Sequence, residues 1–352
     1  MDAYDPDVVP GAFGLNNTGA ICYFNSILQV LVGCSSFVRT VLANKEYLAH
    51  TNTGKAMFEF VSTFGSQETQ LHSARVLGAL TRDLARRRPR VRFGAGQESA
   101  SEALDHILDM MEPPAIEESK TGGESKSTAV ASPITNLFLH RFRCNLHCRK
   151  CKQVVTKNTD YNVNFNLFHI DMLKTQPATE EEFSKAIRVH ISATEDYRCP
   201  KCPCPNCGSE SKAGKCKDTK CATQIPGSTA IRVYNLTMVP EIIFCMFNLY
   251  VRYGGRRSTR YFPERITFPA SDGGKMIFLL VGQVEHSGSL SGGHYWARGR
   301  RTNGKVYKLN DTGVGPSSFS PSASTYIIAY HYAGTESAED LVTEFETMAK
   351  VS

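Results

Sequence analysis

Two Cys-x2-Cys pairs, Cys148/Cys151 and Cys199/Cys202, are separated by the 47 residues 152–198. Two thiolate knuckles of this kind make a tetrahedral all-sulfur site that suits structural Zn2+. The long separation requires two hairpin tips, distant in sequence, to be clamped at one point. A second set follows directly, with Cys204 and Cys207 in a further Cys-x2-Cys and Cys216 and Cys221 with four residues between them. It brackets a polar stretch with no hydrophobic pattern, which buries too little to order without a cross-link. A second four-cysteine zinc site in this insertion, residues 203–229, is the expectation. The competing arrangement is one zinc with re-paired ligands, for example Cys199 and Cys202 with Cys216 and Cys221. The reading as metal ligands rather than disulfides depends on a reducing compartment. The first ten residues, MDAYDPDVVP, carry three aspartates and no basic residue, so they resemble neither a signal nor a transit peptide. An intracellular location, cytoplasmic or nuclear, is expected. Cys34, Cys144 and Cys245 stand outside any pair and read as core or bystander thiols.

The 352 residues, 41% apolar and 21% charged, exclude a wholly disordered chain, a collagen-like repeat and a membrane protein. The net charge of +6 is mild and local, concentrated in Leu84 to Arg92 and Ala297 to Arg301. Both runs read as solvated faces, and nucleic-acid binding through them or through a zinc ribbon is not the principal activity expected. Apolar spacing predicts helices after Cys22, over 55–66 and 73–87, and from Gln97 to Met111, where Pro113-Pro114 ends the last. Residues 115–132 read as a polar surface loop. Beyond it the pattern turns to strands: Tyr161–Phe168, Ile242–Leu249, Met276–Glu285, His294–Arg298, Val306–Leu309 and Thr325–Tyr332. Helices first and strands later imply an α+β fold. Residues 1–10 read as a tail. Residues 336–352 read as a C-terminal tail with a short acidic helix from Glu336 to Lys350, docked on the domain or free to bind a partner.

Within GLNNTGAICYFNSILQVL a cysteine stands between a glycine-containing turn and an amphipathic helix. A thiol at a helix N-terminus meets unpaired N–H groups and the positive end of the dipole, which stabilise the thiolate. Cys22 is therefore the candidate nucleophile. The Asn17 side-chain amide and the Cys22 backbone N–H are candidate oxyanion donors. His294 follows Gly292-Gly293, which leave room for an extended chain beside an imidazole. Asn310 lies sixteen residues further on, at the end of the next strand. Its amide oxygen is placed to accept from that imidazole and fix its tautomer, completing a Cys–His–Asn arrangement.

GLNNTGAICYFNS resembles the cysteine box of the ubiquitin-specific proteases, and SGGHYWA with VYKLND resembles their histidine box. GQESASEALDHILDMM, VPEIIFCMFNLY, Phe268-Pro269 and STYIIAYHY are similar to further family segments, in family order, across about residues 11–333. The resemblance implies a papain-like cysteine protease core with thumb, palm and zinc-binding fingers. It divides the chain into one catalytic domain, 11–335, with thumb about 14–135, fingers about 136–250 and palm about 251–335. It implies hydrolysis after the C-terminal glycine of ubiquitin, with Cys22 as nucleophile, His294 as base and then acid, Asn310 as orienter, Asn17 as oxyanion donor and Asp311 assisting. Gln97, Ser99, Glu102, Gly292, Gly293 and Tyr295 would bind the substrate tail, and no organic cofactor is needed. Ser99 stands where the family usually has Asp, Ile21 replaces a small hydroxyl residue, and Asn248-Leu249-Tyr250 replaces Lys-Arg-Phe. The expected partners are ubiquitin, ubiquitinated proteins or a ubiquitin-like modifier, and possible companions in a larger complex, with no membrane. The alternative is a weak or inactive ubiquitin-binding protein on a protease fold.

Overall fold

The computed structural model describes residues 11–94, 96, 98–114, 132–163, 168–169, 177–197, 199–204, 206, 208–209, 211–212, 215–216, 228–249, 261–289 and 292–337. Seven helices come first: α1 Cys22–Leu31, α2 Ser35–Ala43, α3 Lys45–Leu48, α4 Asn52–Ser62, α5 Thr69–Arg87, α6 Ala100–Met111 and α7 Pro133–Phe138. The middle of the chain forms β1 His140–Cys148, β2 Val154–Val163, β3 Phe168–His169, α8 Glu180–Arg188, β4 Val189–Tyr197, β5 Ser211–Lys212, β6 Lys215–Cys216 and β7 Ser228–Met238. There follow β8 Ile242–Met246, β9 Arg265–Pro269, β10 Lys275–Ser289, β11 Gly292–Arg300, β12 Val306–Asn310, β13 Gly313–Ser317 and β14 Thr325–Glu336.

Contacts divide the chain into two compact units. Met1–Phe138, Asn164–Ser184 and Pro240–Ser352 form the first; Leu139–Val163 and Lys185–Val239 form the second. In the first, a sheet runs in the order β13-β12-β11-β10-β14-β8-β3, with β9 also on β10. The second unit carries an antiparallel sheet of order β2-β1-β7-β4. The α+β class follows from these elements.

Side-chain caps set several helix starts. The Thr51 hydroxyl accepts from Gly54 N at 2.8 Å, and the Ser132 hydroxyl accepts from Thr135 N at 2.9 Å. Ser99 caps α6, so this helix begins at Ala100 rather than at Gln97. All ten residues of α1 are buried, so it is a central helix enclosed on every side rather than the amphipathic one expected. It lies close against β10, where a Cβ on Gly282 would come within 2.5 Å of Val30 Cγ1.

Several sequence expectations change on the structure. The second arginine run is not a solvated face. Arg301 is 1% exposed and donates to the Gln29 carbonyl at 3.1 Å and to Gln29 Oε1 at 2.5 Å. Arg300 pairs with Glu264 at 2.7 Å, and Arg298 lies 3.5 Å from the buried Glu285. Glu336 ends strand β14 rather than opening a helix. Residues 338–350 of the expected C-terminal helix lie outside the described residues, as do residues 115–131 of the expected polar loop.

His331, on β14, is buried with Nε2 2.8 Å from the Ser36 hydroxyl, and burial first, then Arg39, lowers its pKa from 6.5 to about 4. The folded state thus refuses a proton that the unfolded chain accepts. The stabilisation is complete above pH 6.5 and is lost as pH falls toward 4. The loss is expected to reach about 3 kcal/mol. Denaturant unfolding at pH 7 and below should show it, and His331→Gln should flatten that part of the profile; an unchanged acid slope in the variant would refute the assignment.

Candidate active site

Cys22 opens α1 and is 4% exposed. The turn before it is tight: Asn17 Oδ1 accepts from Gly19 N and Ile21 N, each at 3.2 Å, and Ala20 takes φ of 51°. The Tyr295 N–H donates to Cys22 Sγ at 3.4 Å, bringing the sulfur to the start of β11, one residue from His294. Burial raises the Cys22 thiol above its ordinary value; the N–H of Tyr295 opposes this, and the Asp311 charge adds to it. The helix-start N–H groups do lower it, as expected, but burial outweighs them.

His294 Nε2 lies 2.5 Å from Asn310 Oδ1. An amide oxygen only accepts, so Nε2 carries the hydrogen and the neutral ring keeps its lone pair on Nδ1. The β11–β12 ladder, with Ala297 opposite Leu309, provides this approach. Asp311 follows in a left-handed conformation, φ 50°. Its Oδ2 accepts from Asn17 Nδ2 at 3.0 Å, its Oδ1 from Asn25 Nδ2 at 2.9 Å, and its carbonyl from Leu15 N at 2.8 Å. Nothing in the local sequence singles out Asn25.

The expected tail-binding residues fall in two places. Ser99 Oγ, Ser101 Oγ and Tyr326 OH form a closed hydroxyl triangle with sides of 2.7, 3.0 and 2.8 Å. Glu102 is exposed on the first turn of α6, and Gln97 lies outside the described residues. Tyr295 is buried, its ring 4.2 Å from that of His286 and 6.0 Å from that of Tyr326. A Cβ on Gly293 would collide with the Ser287 carbonyl and the His286 imidazole, so glycine is required there by close packing on β10. Gly292 stands opposite Ser289 in the same ladder.

In the second unit, the sulfurs of Cys148, Cys151, Cys199 and Cys202 all lie within 4.8 Å of one another. Cys148 Sγ and Cys202 Sγ are 3.6 Å apart, and Cys151 Sγ and Cys199 Sγ 3.8 Å. A Zn–S bond of about 2.3 Å sets the corners of a tetrahedron about 3.8 Å apart, so this donor set fits zinc. The Lys201 N–H donates to Cys199 Sγ at 3.4 Å, supporting the sulfur from outside the ligand shell. Among the described residues, Cys199 and Cys202 thus lie with the first knuckle. Cys204 is buried in its own turn, its N–H on the Ser209 carbonyl at 2.8 Å and its carbonyl accepting from Gly208 N at 2.9 Å. Cys207, Cys221 and the Cys216 side chain lie outside the described residues.

The family profile described as ubiquitin carboxyl-terminal hydrolase matches residues 13–330. The chain belongs to this family. Ubiquitin carboxyl-terminal hydrolase 17-like protein A of Mus musculus is 23% identical over 321 residues, covering 87% of this chain and 53% of the relative. Ubiquitin carboxyl-terminal hydrolase 42 of Homo sapiens is 22% identical over 330 residues, covering 90% of this chain and 22% of the relative. The chain thus spans about half, or less, of the length of these two hydrolases.

Among solved structures, the SAGA DUB module of Ubp8, Sgf11, Sus1 and Sgf73 bound to monoubiquitin contains a chain with the same fold. Its TM-score is 0.65 at 17% identity, over 96% of this chain and 71% of that one. The module bound to ubiquitin aldehyde gives 0.61 at 15% identity, over 95% and 72%. The ubiquitin carboxyl-terminal hydrolase fold, papain-like with thumb, palm and zinc-binding fingers, is therefore the fold of this chain. Among the described residues no single helix is long and apolar enough to cross a membrane.

Proposed function

We propose that the chain is a thiol-dependent hydrolase that cleaves the peptide or isopeptide bond after the C-terminal glycine of ubiquitin. The observation that carries the reading is the alignment of three groups in one unit. The His294–Asn310 pair leaves Nδ1 as the basic nitrogen, and the next residue's N–H rests on the Cys22 sulfur. Family membership supports the substrate class.

Burial keeps Cys22 a thiol at rest, so His294 Nδ1 takes the proton as the sulfur attacks the glycine carbonyl. The tetrahedral oxyanion is met by the Cys22 N–H and by Asn17. Asp311 takes one of the two N–H bonds of the Asn17 amide, which leaves the other to donate. The imidazolium returns its proton to the departing amine. A water then gives a proton to Nδ1 as its oxygen attacks the thioester carbon. The tetrahedral adduct expels the Cys22 sulfur, which takes that proton from the imidazolium, and the product acid leaves as carboxylate with its proton passing to solvent. Gln97, Ser99, Glu102, Gly292, Gly293 and Tyr295 would line the path of the tail, within a single catalytic domain over 11–335.

A ubiquitin probe with a C-terminal electrophile is expected to label the protein at Cys22 and to leave Cys22→Ala unlabelled. No labelling of wild type would favour the inactive binding protein. Fluorogenic ubiquitin and ubiquitin-like substrates compared side by side would identify the modifier, which the neutral hydroxyls around Ser99 leave open. Zinc in the first cluster would brace the fingers, and Cys204, Cys207, Cys216 and Cys221 would hold a second ion. A metal analysis near two zincs per chain is expected, and a ratio near one would end the two-site proposal. Intracellular action and membership of a larger complex complete the reading.

A further inference from the structure

His294 and Trp296 stand two residues apart on β11, so their side chains leave the same face of the strand. Their ring centroids are 6.1 Å apart with planes within 25°. The ladder pairs Arg298 with Lys308 and Ala297 with Leu309. Continued by one step, it sets Trp296 level with Asn310. Lys308, two residues before Asn310, holds its ammonium 5.5 Å from the indole centroid. The indole thus has the His294–Asn310 pair on one flank and a cation over its ring. Its Nε1 is buried without a hydrogen-bond partner. Ring packing and the cation–π contact, rather than hydrogen bonding, hold it in place. The chain contains a single tryptophan.

One hydrogen bond fixes only one nitrogen of an imidazole. The ring can still tilt about that bond, and water can compete for the Asn310 oxygen. A near-parallel aromatic plane beside the ring hinders the tilt, and its bulk keeps water from the bond, which strengthens it. We propose that Trp296, clamped by Lys308, is a positioning residue that holds His294 and Asn310 in register for proton transfer at Nδ1. This rests on the hydrolase reading above.

Two measurements test it. Trp296→Ala should lower kcat for a ubiquitin substrate by at least about tenfold with KM within about twofold, because misplacement affects the chemical step rather than binding. Trp296→Phe, which restores a planar ring, should recover most of kcat, and Lys308→Met should fall between. If Trp296→Ala does not fold, the Phe and Lys308→Met variants carry the comparison. An unchanged kcat, or a loss confined to KM, overturns the proposal. The second measurement needs no turnover. An imidazole stacked beside an indole alters its emission, so the emission of the lone tryptophan should differ between wild type and His294→Ala. If wild type hydrolyses nothing yet that difference appears, the hydrolase reading fails alone. An emission indifferent to His294 overturns the positioning role itself.

Discussion

Asp311→Ala is expected to lower kcat/KM for ubiquitin substrates by at least about 100-fold, the scale of losing an oxyanion donor, while making Cys22 easier to ionise. The two effects have opposite signs because Asp311 acts in two ways. Its carboxylate accepts from the side-chain amides of Asn17 and Asn25, which lie on either side of the nucleophile in sequence. Removing it frees the Asn17 amide to rotate away from the oxyanion. Alanine is also strained at φ 50°, by about 1 kcal/mol or more. The same negative charge raises the Cys22 thiol, so its removal lowers the pKa of the nucleophile. The pH dependence of iodoacetamide alkylation at Cys22 should therefore shift to lower pH in the variant. Asp311→Asn should shift it similarly but lose less turnover, because asparagine tolerates the left-handed backbone and keeps one acceptor oxygen. Turnover that rose together with ionisation would reduce Asp311 to an electrostatic brake on the thiol.

The positions of Cys22, His294 and Asn310 are legible because each carries a local signal. A glycine turn precedes an apolar helix, Gly-Gly precedes a histidine at a strand start, and a polar residue ends the next strand. The Asp311 hub is not legible in this way, since its partners Asn17 and Asn25 lie 294 and 286 residues away. Arg301 reads as part of a solvated run because nothing near it in sequence announces Gln29, 272 residues away, as its buried partner. The raised Cys22 thiol departs from expectation for a similar reason. The helix terminus is a local feature, whereas the burial that outweighs it is tertiary. Some elements absent from the sequence reading do carry signals. Thr179 and Glu182 mark the start of α8, the Thr179 hydroxyl accepting from Glu182 N at 3.2 Å and the Glu182 carboxylate from Ala178 N at 2.8 Å. In β1 the alternation of Phe142, Cys144, Leu146 and Cys148 is equally open to reading.

Cys199→Ser is expected to remove one zinc per chain and to unfold much of the second unit while leaving the first able to react at Cys22. The apolar cluster at the knuckles consists largely of the ligands themselves, Cys148, Cys199 and Cys202, with Cys151, Val155 and Tyr197 packed against them. Without a cation, burial and then the neighbouring thiols push the Cys202 thiol up to about 12. Sulfurs with no cation between them hold the two hairpin tips together weakly, and at 3.6 and 3.8 Å apart they are far from a disulfide bond of about 2.05 Å. Structural zinc contributes about 10–16 kcal/mol in small finger peptides, as much as the whole stability of a typical domain. Losing one thiolate ligand should therefore expose the amides of β1, β4 and β7 to hydrogen exchange and lower the zinc content by one. Iodoacetamide alkylation of Cys22 should remain, because Asn17, Cys22, His294, Asn310 and Asp311 all belong to the first unit. Binding of folded ubiquitin should weaken, so turnover should fall through KM. A variant that kept both its zinc and its amide protection would show that these four sulfurs are not a metal site.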